Sequence, residues 1–482
     1  MTAALLGVLG YFGFGIICFL IPRARFLSAL ALVCGTISFA IWAPGFPRGH
    51  LGLGDWAIPW EGDALAAAFW GLSLFLHAVL LLEEVGKPRH FYALLTLLFG
   101  TVLSLVLSRD LFNLYISLEL TSLIAFLLVG LEGRAAQVWA SLKYLILTSC
   151  GMILYLLGVG FIYARAGSLS LPALSAMPPD TAIRLGVGLL LAGAAAKGGV
   201  FLYAQWLPTA HGYAPSSVSA VLSGLVVKMG IVAMARIAGA YGAGDVLVAL
   251  GLITGFLGIY HAFWEKRIKV FLAYSTMSQL GYMLLGFGWG AWEGALAYAV
   301  AHGLFKPLLF LAAGRAEDEA GTHLIQGLAG KLMLSTRLGL GLGTVAIAGL
   351  PPLAGYAAKG LLFLNLPPWG KWALFALSVG TAASFSKLLP TIVRGRKGWK
   401  PTWGQFTLGL VVVGGGVALC IGKASLLAPS SLISGLGAIA AGYVIFHLLR
   451  KLPFRPPHWR LDESLLALFL AGCALLFWVL LH

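Results

Sequence analysis

The residues of this chain most able to do chemistry are charges stranded in the middle of long apolar runs. Lys197 stands in AAAKGGVFLYAQWLP, thirteen residues after Arg184 and eleven before Pro208. At about 1.5 Å per helical residue, it is more than ~15 Å from either end of such a span. A lysine stem reaches only about 6 Å, and a charge near a bilayer centre costs about 2.5–3.5 kcal/mol, so the ammonium must face protein or water. Glu119, in DLFNLYISLELTSLIAFLLVG, lies nine residues past Asp110 and thirteen before Glu132. Lys228, in VSAVLSGLVVKMGIVAMAR, is eight residues before Arg236, and Lys359, in GLPPLAGYAAKGLLFLNLPPWGK, is twelve before Lys371. Lys143, Lys306 and Lys387 also fall inside apolar spans and join the other four as candidate proton-translocating groups.

For any one of these charges a static role is open: a buried ion pair, or an ammonium bonded to freed backbone carbonyls. Taken together they are unbalanced, because one membrane-centred carboxylate faces at least four embedded lysines. A buried lysine without a permanent acid is suited to gaining and losing a proton. His302 and Lys306, in AYAVAHGLFKPLLFLAAG, are four residues apart and share one helix face, the spacing of a proton relay.

The elements that must hold these groups are membrane helices. The chain has 482 residues, 60% hydrophobic and 10% charged, against about 25% charged for a soluble domain. The fold class expected is all-α, a polytopic membrane protein with sixteen spans near 3–21, 26–43, 64–82, 91–107, 111–131, 142–163, 183–206, 215–236, 244–264, 269–289, 293–314, 337–364, 372–390, 404–424, 430–449 and 461–481. The first span reads as a retained helix rather than a removed signal. The net charge of +15 is spread over connecting loops: 19 of the 32 Lys and Arg, from Arg23 and Arg25 through Lys266, Arg267 and Lys269 to Arg455 and Arg460, follow odd-numbered spans. The even-numbered side, together with span ends facing it, carries Arg48, Arg109, Arg165, Arg184, Arg236, Lys371 and Lys423. The positive-inside rule then places the odd loops in the cytoplasm and both termini outside a cell membrane. No basic, aromatic-interleaved surface offers itself to a nucleic acid, so none is expected as a partner. Five isolated cysteines without CxxC or nearby His give no metal or cluster site.

Helix-breaking residues flank two of the lysines. Gly198 and Gly199 follow Lys197, and Pro351, Pro352 and Gly355 precede Lys359. Interrupted helices at membrane depth are tolerated where protein or water satisfies the freed carbonyls, and paired broken helices mark transporters built from repeated halves. Lys197 to Lys228 is 31 residues and Lys359 to Lys387 is 28, each pair in consecutive spans. The spacing predicts two five-helix repeats over 91–236 and 244–390, inverted because five is odd, between N-terminal helices at 1–90 and C-terminal helices at 391–482.

The stretches LYISLELTSL, LKYLILTSCGMILYLLGVGFIY, WLPTAHGYAPSSVSAVLSGLVVKMG, RIKVFLAYSTMSQLGYMLLGFG, AHGLFKPLLFLAAG and AGLPPLAGYAAKGLLF resemble, in the same order, the antiporter-like subunits shared by respiratory complex I, Mrp-type sodium/proton antiporters and membrane-bound hydrogenases. LSGLVVKMG is most similar to the Mrp D-type and hydrogenase-type subunits. The resemblance is dense from about 92 to 390. It implies fourteen core helices with the seventh and twelfth broken, Glu119 and Lys197 as the pair of the first half, Lys228 as connecting lysine, and His302, Lys306 and Lys359 as the second-half relay. Where the family commonly has a proline after the broken-helix lysine and an acid in WLPDA, this chain has Gly198 and Thr209.

The function implied is translocation of protons, or exchange of protons for sodium, by a membrane subunit working beside homologous subunits in a larger complex. Glu119 would hold Lys197 protonated while they are paired, and their separation would send the proton along one hydrated mid-membrane path in the order Lys228, His302, Lys306, Lys359. The competing expectation is a structural membrane subunit whose static ion pairs anchor a redox or hydrogenase module. No nucleotide loop, metal spacing or nucleophile with a base points to a catalytic centre, and no cofactor is expected; lipid surrounds the chain.

Overall fold

The computed structural model describes residues 1–52, 57–177, 180–452 and 461–481; Arg455 and Arg460 lie outside them. The chain opens with α1 (Thr2–Leu20) and α2 (Ala24–Trp42), a two-stranded antiparallel hairpin of β1 (Arg48–Leu51) and β2 (Ile58–Glu61), then α3 (Ala64–Glu83), α4 (Arg89–Leu107), α5 (Leu111–Val129) and α6 (Ala135–Ala166). Next come α7 (Leu171–Ser175), α8 (Thr181–Lys197), α9 (Leu207–Tyr213), α10 (Ser216–Val221), α11 (Val227–Tyr241), α12 (Gly244–Trp264), α13 (Ile268–Gly288) and α14 (Trp292–Ala320). The remainder is α15 (Leu334–Ala348), α16 (Ala354–Leu364), α17 (Pro368–Phe385), α18 (Leu389–Val393), α19 (Trp403–Gly422), α20 (Pro429–Leu449) and α21 (Leu461–Leu481).

Among the described residues, twelve helices are long and apolar enough to cross a membrane. The other four predicted spans fall on α8, α13, the pair α15 and α16, and α21. The predicted span 142–163 is a 32-residue helix, α6, and the predicted 293–314 continues to Ala320. That extension carries Glu317 into the helix. The hairpin was not expected in an all-α chain. Its four-residue strands, one holding a glycine and the other a proline, leave no periodic signal, and it is fixed by pairing, with Arg48 opposite Glu61 and Trp60 bridging to Ser108.

The chain forms two compact units. Unit 1 comprises residues 1–206, 225–246 and 460–482, and unit 2 comprises 207–224 and 247–459. In unit 1, α6 and α11 pack along α8, α1 packs on α2 and α4, and α21 lies against α8. Asp180 caps α8 by accepting from the Ile183 amide at 2.8 Å and pairs with Arg165 at 2.5 Å; that backbone bond, then the arginine, holds its carboxyl below the usual carboxylate range. In unit 2, α14 is the central element, touching α10, α13, α15, α16 and α19, while α9 packs on α13 and α20 on α17.

One end of unit 1 is closed by a charged lattice. Asp63 caps α3 through the Ala66 amide at 2.7 Å and meets Arg109 at 2.6 Å and Arg236 at 3.4 Å. Glu61 on β2 joins Arg109 at 3.1 Å and Arg48 at 2.7 Å. Arg236, counted in the sequence with charges at a span end, is buried and also donates to the Ser108 carbonyl at 3.1 Å and to the Val106 carbonyl. The Asp63 carboxylate and two freed carbonyls thus make a buried guanidinium tolerable.

Candidate proton-transfer site

Helix α8 ends on Lys197, and residues 198–206 continue without regular α-helix, with Gly199 at φ 66° and Leu202 at φ 72°. The break is held by packing. A Cβ at Gly230 of α11 would sit 2.2 Å from the Gly198 nitrogen, so α11 lies directly against the interruption, and the Trp206 indole donates to the Ala196 carbonyl at 2.9 Å. The freed carbonyl of α8 therefore has a protein donor, as a break at membrane depth requires.

The Lys197 Nζ lies 3.3 Å from Glu119 Oε1 of α5, with side-chain exposures of 3% and 28% respectively. The carboxylate thus retains access to its surroundings while the ammonium does not. Lys228 is fully buried in α11, two residues before Gly230. Lys143, buried on α6, interacts electrostatically with Glu463 of α21. The structure therefore brings Glu119 and Lys197 together and gives Lys143 an acid from the C-terminal helix.

The second break, between Ala348 and Ala354, has Gly349 at φ 94°. A Cβ at Gly355 would lie 1.9 Å from the Ala346 carbonyl oxygen, so α16 starts against the last turn of α15. Lys359 reaches back across this break. Its Nζ donates to the Ile347 carbonyl at 2.8 Å and the Ala348 carbonyl at 3.4 Å, and sits 5.3 Å from the centre of the Tyr282 ring. A cavity of about 350 Å³ opens over it, lined in part by Ser378, Ser430, Ser431 and Ser434.

Lys306 and His302 are fully buried on α14. The Lys306 ammonium donates to the Leu272 carbonyl at 2.8 Å and to the Ser275 hydroxyl. From Ser275 the same face of α13 continues through Gln279 and Tyr282, at i+4 and i+7. The Tyr298 hydroxyl donates to Gln279 Oε1, Gln279 Nε2 donates to the Thr381 hydroxyl at 3.2 Å, and Tyr282 meets Thr381 at 3.1 Å. Ser275, Gln279, Tyr282, Tyr298 and Thr381 thus carry a polar stripe from Lys306 towards Lys359, and sequence reading missed all five. The available signal was Ser275, Gln279 and Tyr282 at helical spacing beneath a buried lysine.

Lys387 differs from the others. Its Nζ bonds the carbonyls of Ala262, Phe263 and Glu265, at 2.5, 3.0 and 3.0 Å, and so caps the C-terminus of α12. Among the described residues, no three His, Cys, Asp or Glu side chains converge as a metal site.

A chain of many apolar helices, two of them interrupted beside a buried lysine, defines a polytopic membrane protein of antiporter-like architecture. Residues 108–385 match the family described as NADH:quinone oxidoreductase/Mrp antiporter, transmembrane, and the chain belongs to that family. It is 32% identical over 354 residues to the NADH-quinone oxidoreductase subunit N of Desulforudis audaxviator, covering 67% of this chain and 70% of that one. It is 29% identical over 373 residues to the D-type subunit of the Na(+)/H(+) antiporter of Alkalihalophilus pseudofirmus, covering 70% and 74%. Its fold matches a chain of the membrane-bound sulfane sulfur reductase, an archaeal respiratory membrane complex, with a TM-score of 0.77 at 22% identity, over 91% of this chain and 98% of that one.

Proposed function

We propose that this chain is the proton-translocating, or proton/sodium-exchanging, subunit of a multisubunit complex in the cell membrane, working beside homologous antiporter-like subunits, with both termini on the outer side. The observation that carries the reading is the Glu119–Lys197 pair at 3.3 Å, an ammonium almost closed to solvent at the tip of a broken helix. Membership of the family and the likeness to a D-type Na(+)/H(+) antiporter subunit support it. We read Glu119, Lys197 and Lys228, with Lys143, as one half-relay and His302, Lys306 and Lys359 as the other, each moving protons within one of the two inverted repeats at 91–236 and 244–390, inside a core of fourteen helices in sixteen. Pairing with Glu119 keeps Lys197 charged; opening the pair frees its proton for the next buried group.

A static role is favoured at one position. Lys387 bonds three carbonyls at a helix end, which is the arrangement of a cap. The test of the whole reading is Lys197→Ala in the assembled complex, reconstituted in vesicles with a pH-sensitive dye inside. Removing a mid-membrane charge eases insertion, so the chain should assemble while coupled transport is abolished. Full transport from well-assembled Lys197→Ala complex would leave only the anchoring role.

A further inference from the structure

Helix α14 carries His302, Lys306, Phe310 and Glu317 at intervals of four, four and seven, which is one helix face. Glu317 is eleven residues beyond Lys306, about 16 Å nearer the end at which the chain turns into residues 321–333. There its carboxylate bridges two basic side chains of very different exposure. Oε1 is 3.0 Å from Nδ1 of His323, whose side chain is 64% exposed, and Oε2 is 3.3 Å from Nζ of Lys269, whose side chain is 11% exposed. His323 is fixed at this end because its carbonyl accepts from the Ile268 amide at 2.9 Å. Lys269, counted by sequence among loop charges, is therefore a buried group on the first turn of α13.

Lys269 leads inward. Its ammonium also donates to the Ala214 carbonyl at 3.2 Å, the residue that follows α9. Helix α9 carries His211, fully buried, with neither ring nitrogen hydrogen-bonded among the described residues. Its ring stacks on Phe310 at 4.8 Å and 17°, and the Lys306 Nζ lies 5.9 Å from the centre of that same ring. Both Lys269 and Lys306 act on His211 electrostatically. A buried imidazole with two open nitrogens is costly as packing and useful as a two-sided proton carrier.

We propose that His323, Glu317, Lys269 and His211 form the proton intake of unit 2, delivering protons from the surface at residues 321–333 to Lys306. This rests on the translocation reading and extends it to residues outside the predicted relay. The exposed His323 takes a proton from water and passes it to the Glu317 carboxylate. Lys269 gives its own proton to one nitrogen of His211 and is recharged from Glu317. His211 releases the proton of its other nitrogen to Lys306 once the Lys306 amine is neutral, its previous proton having moved on towards Lys359. Each hop breaks one N–H or O–H bond and forms another, and no electron moves. Glu319, two residues along, is excluded because its oxygens accept from the Met333 amide and the Thr336 hydroxyl.

The alternative is that Lys269 and Glu317 merely tie α13 to α14. The two separate in the assembled complex reconstituted with an internal pH-sensitive dye, by comparing Glu317→Gln, His211→Phe and the double variant Glu317→Gln/Lys269→Met, with melting temperature recorded for each. The intake predicts at least a tenfold slower proton uptake in all three with assembly and melting intact. A static pair predicts that Glu317→Gln melts early and that the charge-cancelled double variant regains both stability and transport; that result overturns the intake. Wild-type rates in Glu317→Gln and His211→Phe, with Lys197→Ala still inactive, also overturn it while leaving the translocation reading in place. Full transport in Lys197→Ala removes that reading itself.

Discussion

Replacing Glu119 by Gln keeps the shape of the side chain and removes its charge from beside Lys197. At 3.3 Å and an effective dielectric near 20, opposite unit charges attract by about 5 kcal/mol, and in bulk water by about 1 kcal/mol. The Lys197 side chain is 3% exposed and that of Glu119 28%, so the pair sits between these limits, at about 3 kcal/mol. In the proposed translocation cycle, that energy is what a partner would supply to open the pair and what the pair would return on closing. An amide gives a dipole in place of a charge and loses most of it, so coupled transport should fall roughly a hundredfold, each 1.36 kcal/mol being a factor of ten. Glu119→Asp keeps the charge on a shorter arm and should retain part of the rate. The measurement is the initial rate of proton movement by the assembled complex in vesicles, normalised to the amount of this chain. A Glu119→Gln complex that assembles fully and transports at the wild-type rate would refute the coupling of carboxylate to lysine.

Asp63→Asn should preserve the cap of α3 yet leave Arg236 short of an anion, costing about 2 kcal/mol, and Asp63→Ala should cost about 1 kcal/mol more through the lost cap; melting in detergent checks both, and a stable Asp63→Asn protein would show the lattice to be incidental. Gly230→Ala drives a methyl into the Gly198 backbone and should destabilise by about 1–3 kcal/mol, visible as a lower melting temperature, while an unchanged one would mean that α11 does not brace the break. Lys387→Met should lower stability by about 1–3 kcal/mol through the lost carbonyl bonds, with transport falling only in proportion to folded protein. Transport lost at full stability would instead return Lys387 to the relay.

Some features were legible in the residues because their causes are local. Gly198, Gly199, Pro351 and Pro352 disfavour helix wherever they occur, so both interruptions could be read before any neighbour was known. Glu119 and Lys197 declared themselves because hydrocarbon penalises a charge according to depth, and depth follows from counting residues along a span. The apolar runs themselves required a many-helix membrane protein, since buried backbone in lipid must bond internally.

What the chain order left open was decided by which surfaces meet. Lys269 read as a loop charge and Arg236 as a span-end charge until packing buried them against Glu317 and Asp63. Lys387, like Lys359, lay inside an apolar run, yet it caps α12, because only the fold brings the carbonyls of residues 262, 263 and 265 to it. His211 lay unremarked in WLPTAHGYAPSS and became a candidate through the Phe310 ring of α14, 99 residues away in the sequence. Local propensity and the cost of charge in lipid act residue by residue and are written in the sequence; the pairing of one buried polar group with another depends on long-range packing, and only the tertiary structure decides it.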